Sequence, residues 1–307
     1  LIDLQNVQKM NNLDELFSHT KNIYGRTFLS DQDVKYLLPV DDLEINRNIT
    51  FYLLWKCVWQ NDFSVPIEEK LQNGCSVLDI GCGPGYWLID MAEKYPKSTF
   101  LGIDVANCFY SGIIGESSSS SLSSSKPENL GFLQCNVIKG IPFPDNTFDF
   151  IRQYEMCMSF AENDWKYMIN EFVRVLKPSG WIEISEFGYD LLLGGKTEAE
   201  KGLNGDIYKD MPKLLESNPN LVDHRTTSIK CPVGSWAGNL GGLMCEQLHQ
   251  MIEAMVDVPA CMEITKEEYR QKLTEYIHDI NKFGGYMTKF RFYCQKNPPN
   301  IKHRATF

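Results

Sequence analysis

The stretch VLDIGCGPGYW, Val77 to Trp87, joins an apolar run ending in an aspartate to three glycines at alternate positions. The run itself, CSVLDI, is short and almost wholly apolar, as a strand covered on both faces must be. A strand, a glycine turn and a helix leave backbone N–H groups and a positive helix end open to a ligand, with no side chains in the way. The spacing is selective. Gly81, Gly83 and Gly85 give G-x-G-x-G, whereas a dinucleotide fingerprint wants its third glycine where this chain has Tyr86. Asp79, two residues before the first glycine, repels phosphates and can accept from an ammonium group. The ligand these residues ask for is cationic at one end.

The rest of the chain repeats the same alternation. WLIDMAEKY has helical spacing, STFLGID, LGFLQCN, TFDFIRQY and GWIEISEF read as strands, and DWKYMINEFVRVL is a helix ended by Lys177-Pro178-Ser179-Gly180. Strand, helix, strand in repetition predicts an α/β fold with a mostly parallel sheet. Upstream, Asn12 to about Cys57 is helical in flavour, with SDQDVKYLL offering Ser30 as a cap, Asp33 three residues on and Pro39 as a breaker. Downstream, a helix near DIYKDMPKLLES and a strand LVDHRTTSIK precede two further helices. The second of these starts with the capping box Thr265 to Glu268 and is stopped by Gly284-Gly285 before the alternating strand YMTKFRFYCQ. The serine run within Gly115 to Asn129 reads as a surface loop, with phosphorylation the sharper alternative and no arginine cluster nearby to read a phosphate.

With 307 residues, 43% hydrophobic and 23% charged, one large domain with insertions is expected. The formal net charge of −10 disfavours a nucleic-acid partner, which needs clustered Lys and Arg. Ten scattered cysteines form no C-x-x-C pair, so neither a zinc site nor a disulfide framework is expected. His19, His249 and His278 fall on predicted helices without ligand partners and His224 in a strand, so no metal is expected. No run of 18 apolar residues occurs and the first residues lack signal-peptide features, so the expected location is the cytoplasm and not a membrane. The nucleus stands second, without a Lys/Arg-rich import run to support it.

The second strand ends in Asp104, 19 residues after Gly85, where a carboxylate can take both hydroxyls of a ribose. Past the third strand, Asn136 and Val137 sit where an adenine edge and face would lie. An amino-acid ammonium, a ribose and an adenine in one crevice describe S-adenosylmethionine. Singly, each residue has a plainer reading, Asp104 as a turn residue for example. Their order on successive strand ends is what carries the inference.

These residues resemble class I S-adenosylmethionine-dependent methyltransferases in VLDIGCGPGYW, FLGIDVA, GIPFPDNTFDFIRQ and INEFVRVLKPSGWIEISEF. YGRTF, YLLPVDDLEINR, DFSVPI and KCPVGSW further resemble the fungal LaeA-like group, associated with secondary-metabolite regulation. The resemblance spans about Tyr24 to Gln295. It implies a three-layer α/β sandwich, Rossmann-like, with a seven-stranded sheet whose last strand is antiparallel. A helical cap over 1–66, the methyltransferase domain over 67–307 and a helical insertion near 231–283 complete the expected organisation. It further implies that Asp79, Gly81, Gly83 and Gly85 hold the methionine part, Asp104 the ribose, and Asn136 with Val137 the adenine, with Cys82, Trp87 and Val105 beside them. Gln153 would line the crevice near the transferred methyl, and Tyr24 and Arg26 would close it from the cap. There are departures: Asn136 replaces an acid and would reach the adenine amino group through its carbonyl oxygen, Ser179 replaces a glycine with no expected consequence, and no histidine follows the arginine of EINR.

Methyl transfer from a sulfonium needs in-line approach, and orientation in a dry pocket can supply most of the rate. If a base is used, Tyr154 and Glu155 after the fourth strand and Glu186 after the fifth are the geometric candidates. Glu44 and Arg47 read as a local ion pair, with lid closure as the alternative. Tyr24, Phe28, Tyr86, Trp87 and Trp236 supply aromatic faces near the crevice, and the helices between Trp236 and Phe283 would form a lid. The expected function is methyl transfer to O, N or S of a small-molecule acceptor. A cofactor-binding regulator working through a protein partner, or a protein methyltransferase, are the alternatives.

Overall fold

A computed structural model describes residues 1–11, 20–31, 33–109, 126–188 and 203–299. The serine run lies outside the described residues. Strands β1 (Thr20–Ile23) and β2 (Arg26–Leu29) form a hairpin, and β3 (Ser76–Ile80), β4 (Thr99–Asp104), β5 (Leu130–Gln134), β6 (Phe148–Tyr154), β7 (Leu176–Gly188), β8 (Leu221–Val233) and β9 (Gly285–Lys296) form one sheet. Its order is β5-β4-β3-β6-β7-β9-β8, parallel except for β9, which runs against both neighbours. The seven strands and the single reversed one agree with expectation.

Alternation assigns the two faces. Leu130, Phe100, Val77, Phe150 and Trp181 stand in register across five strands. They share a core with Leu71 of α3 (Glu68–Asn73) and Trp87, Leu88 and Met91 of α4 (Tyr86–Lys94). The next residue along each strand points the other way, so Leu78, Leu101, Ile151 and Ile182 enter the larger core. There they meet Trp55 of α2 (Asp42–Trp59) and Phe172 of α5 (Glu162–Val175). Each such side chain, almost wholly buried, stabilises the fold by roughly 1.5–3 kcal/mol. At the far edge α1 (Leu4–Asn11) crosses β5, and Leu4 lies 2.7 Å from where a Cβ on Gly131 would stand.

The helix predicted over SDQDVKYLL does not form among its described residues. Tyr24 and Gly25 both have positive φ (52° and 81°), which makes a two-residue hairpin turn between Ile23 and Arg26. From there to Pro39 the described residues form no helix, and Leu37 and Leu38 are buried. Ser179 also departs from expectation: its φ is +61°, a conformation glycine adopts freely and serine does not, so its replacement of glycine carries strain. The cause is a bulge in β7, where Leu176 pairs with Phe148 but Trp181 already pairs with Phe150.

Beyond β7, α6 (Ile207–Glu216) leads into β8. Three helices, α7 (Gly238–Ala254), α8 (Val258–Cys261) and α9 (Lys266–Phe283), then intervene before β9. The predicted capping box holds, with Glu268 N donating to Thr265 Oγ1 at 3.2 Å and Thr265 N to Glu268 Oε2 at 2.7 Å.

Candidate functional site

Parallel strands deliver their C-terminal ends to one edge of the sheet, and the glycine turn after β3 opens there into a cavity. About 1530 Å³ is free of atoms there, open mouth and adjoining solvent included. Asp79, Gly81, Cys82, Gly83 and Trp87 line it, as do Asp104, Val105, Asn136 and Val137 from the next two strand ends and Tyr154 and Glu155 from β6.

The three glycines differ in what requires them. A Cβ on Gly85 would stand 2.4 Å from the Phe132 ring, so packing excludes a side chain there, whereas one on Gly81, at φ +65°, would meet the flexible Met156 side chain, 2.2 Å from its Sδ. Gly85 itself is not on the cavity wall; it caps the N-terminus of α4 with φ +85°. Gly83, at φ +53°, has nothing within 4 Å of its missing Cβ, so it leaves open space for a ligand. Its N–H donates to Asp104 Oδ2 at 2.9 Å, and Ala106 N donates to Oδ1 at 2.9 Å. These bonds fix the carboxylate at the strand end, while burial pushes its carboxyl above the ordinary range.

Asp79 is not a lone acceptor. Arg152, its register partner on β6, donates from Nη1 to Asp79 Oδ1 at 2.8 Å. The guanidinium carbon lies 4.4 Å from the Trp87 ring centre and 4.2 Å from that of Tyr154. Both members of the pair line the cavity. A carboxylate and a guanidinium side by side complement an α-amino acid, ammonium to the one and carboxylate to the other. The sequence reading passed over Arg152. Its signal was an arginine in the middle of a strand, directly after apolar residues, which needs a carboxylate beside it when buried.

Asn136 also differs from expectation. Its Oδ1 accepts from Ile138 N at 3.2 Å, capping a short 3-10 turn over Val137–Lys139. Its Nδ2 is buried and has no partner among the described residues. The free group is therefore a donor, suited to a ring nitrogen and not to the adenine amino group. Tyr86 Oη is likewise buried without a partner on the same wall. Open space at Gly83, an amino-acid clamp and an unused amide donor fit an adenosyl ligand carrying an amino-acid tail.

Besides Gly85, four expected residues stand off the cavity wall. Gln153 is fully buried behind the wall, its Nε2 donating to Glu186 Oε1 at 2.8 Å. Glu186 does not reach the cavity either; it also accepts from Met156 N at 2.8 Å and Cys157 N at 3.4 Å, bracing the turn after β6. Burial raises its carboxyl to about 7. Tyr24 is 71% exposed at the hairpin tip, under the Lys266 ammonium at 3.9 Å. Arg26 pairs with Asp41 at 2.8 Å, joining the hairpin to the start of α2, and lines no part of the cavity.

Tyr154 and Glu155 remain on the wall, Glu155 with φ +57°. Behind them lies Lys289 of β9, fully buried, its ammonium bonded to the Tyr154 hydroxyl and the Glu155 carboxylate. The rings of Tyr154, Phe187 and Trp55 surround it at 3.6, 4.4 and 4.9 Å. Burial lowers the lysine to about 7 against the opposing pull of Glu155. Nothing local in YMTKFRFYCQ marks this lysine as buried.

The opposite wall comes from α2. Glu44 and Arg47 form a buried pair at 2.7 Å, with Arg47 Nη2 also donating to Asn48 Oδ1 at 2.7 Å. Phe51 lies beneath the guanidinium at 5.3 Å. The expected ion pair is thus present, but in the cavity wall and not on a helix surface.

A family profile described as "Methyltransferase domain" matches residues 77–180. The chain is 30% identical to "Secondary metabolism regulator LAE1" of Cochliobolus heterostrophus over 236 residues, covering 69% of this chain and 70% of that one. It is 28% identical to "Secondary metabolism regulator laeA" of Aspergillus niger over 176 residues, 54% of this chain and 40% of that one. It is 26% identical to "Methyltransferase pytC" of Aspergillus terreus over 234 residues, 69% of this chain and 65% of that one. The chain thus spans between 40% and 70% of the length of these relatives.

Proposed function

This chain belongs to the class I S-adenosylmethionine-dependent methyltransferases, in the LaeA-like group, and from that premise we propose that it methylates an O, N or S nucleophile of a small molecule. The observation that carries the reading is the Asp79–Arg152 pair at 2.8 Å, set beside the open space of Gly83 and the unused Asn136 amide. Asp79 and Arg152 would hold the amino-acid tail, Asp104 the ribose, and Asn136 with Val137 the adenine. When bound, S-adenosylmethionine supplies an electrophilic methyl on a sulfonium.

The chain's own part is to hold the reactants and exclude water. Tyr154 and Glu155 stand at the wall with Lys289 behind. For a hydroxyl acceptor, Glu155 would take the proton, with Lys289 holding its carboxylate. For a thiolate or a neutral amine no such transfer is required before attack.

Incubation with S-adenosylmethionine and a metabolite extract tests this. S-adenosylhomocysteine should accumulate only when the extract is added. Tight cofactor binding with no product under any condition supports the second reading, a regulator acting through a protein partner, which the names of the Cochliobolus and Aspergillus niger relatives favour. Among the described residues no helix is long and apolar enough to cross a membrane.

A further inference from the structure

Arg47 lines the cavity and is 6% exposed, yet its Nη1 is buried with no hydrogen-bond partner among the described residues. Its other donors are used: Nε reaches both Glu44 oxygens at 3.0 and 3.1 Å, and Nη2 takes Glu44 Oε1 and Asn48 Oδ1 at 2.7 Å each. A buried guanidinium edge left unpaired is costly unless something in the cavity accepts from it. The surroundings say what. Leu38, Val40, Phe51, Met158, Phe160 and Met251 line the same cavity, so the body of that molecule meets apolar side chains.

Charge decides between a carboxylate and a neutral oxygen. Glu44 already neutralises Arg47, and an anion at Nη1 would lie beside that carboxylate. Over the rest of the lining, Asp79, Glu155 and Asp33 are also paired, with Arg152, Lys289 and Lys139, and Asp104 is left without a cationic partner among the described residues, which repels an anion further. We infer that the methyl acceptor is an uncharged, largely apolar molecule whose carbonyl or hydroxyl oxygen accepts a hydrogen bond from Arg47 Nη1. This rests on the methyltransferase reading and narrows its substrate class.

Three ring-matched probes, acetophenone, benzoate and ethylbenzene, titrated by calorimetry onto protein saturated with S-adenosylhomocysteine, test it. Acetophenone should bind about tenfold more tightly than either other probe, the factor expected for one charge-assisted hydrogen bond. Arg47→Lys keeps the charge beside Glu44 but has no second N–H edge. It should cost acetophenone about tenfold and leave affinity for S-adenosylhomocysteine within about twofold. Preference for benzoate, equal binding of ethylbenzene, or a matching loss of S-adenosylhomocysteine affinity in Arg47→Lys would each overturn the inference alone. Absence of S-adenosylhomocysteine binding to the parent would instead overturn the methyltransferase reading beneath it. Should Arg47→Lys lose its cooperative melt, the comparison of acetophenone with ethylbenzene on the parent decides.

Discussion

Gly83 and Gly85 stand two residues apart and answer to different demands, and substitution separates them. Alanine at 83 meets open space, so its cost is the positive φ, about 1 kcal/mol, while its methyl group enters the ligand's volume. Alanine at 85 would stand 2.4 Å from Phe132 as well as at positive φ, adding about 1–3 kcal/mol of overpacking. Gly83→Ala should therefore lose S-adenosylhomocysteine affinity with a modest fall in urea midpoint, and Gly85→Ala should show the larger fall. Ser179→Gly, relieving φ +61°, should raise stability by about 1 kcal/mol. Glu186 gives a pH dependence. Its carboxyl is raised from an ordinary 4.5 to about 7 by burial, so the stability it contributes is fully present below 4.5 and is lost as pH rises through 7, by about 3 kcal/mol. Urea melts at pH 5 and pH 8 should show that fall in the parent and not in Glu186→Gln. The Asp79 and Asp104 positions could be read locally because a strand end followed by a glycine turn, or by the next ligand-facing turn, has few uses for a carboxylate. Arg152 and Lys289 could not, since their partners lie 73 and 134 residues away in sequence.

Among elements, the open-sheet strands and most helices were legible because each carries one signal throughout: β3 is mostly apolar and buried along its length, β9 alternates, and α9 opens with its own capping box. The β1–β2 hairpin was not. Four-residue strands are too short to show a period, and SDQDVKYLL mimics a helix start. What holds the hairpin is remote: Asp41 accepts from Arg26 Nε and Nη2, from Thr27 N at 3.1 Å and, as the cap of α2, from Glu44 N at 3.1 Å. Asp41→Ala should therefore cost more than the ~1 kcal/mol of an ordinary cap. Hydrogen exchange should speed up at the amides of both Thr27 and Glu44, whereas loss of a cap alone would affect only the latter.

At the scale of the molecule, two cores separated by the sheet leave one cavity wall to the strand ends and the other to α2 and the chain before it. A ligand bridging these walls binds only the folded state. S-adenosylhomocysteine at about a hundred times its Kd should thus add about 2.7 kcal/mol to stability, seen as a raised melting temperature. Asp104→Ala should lose most of that increment. The amino-acid sequence by itself determined the sheet, its mostly parallel order and the glycine turn, because hydrophobic period, turn residues and spacing are written within a few residues of one another. Only the tertiary structure decided that Arg152 occupies Asp79, that Glu186 faces inward and Glu155 outward, and that Arg47 keeps a free edge. Each of those depends on which distant side chain arrives first at a buried charge, and sequence separation carries no record of that.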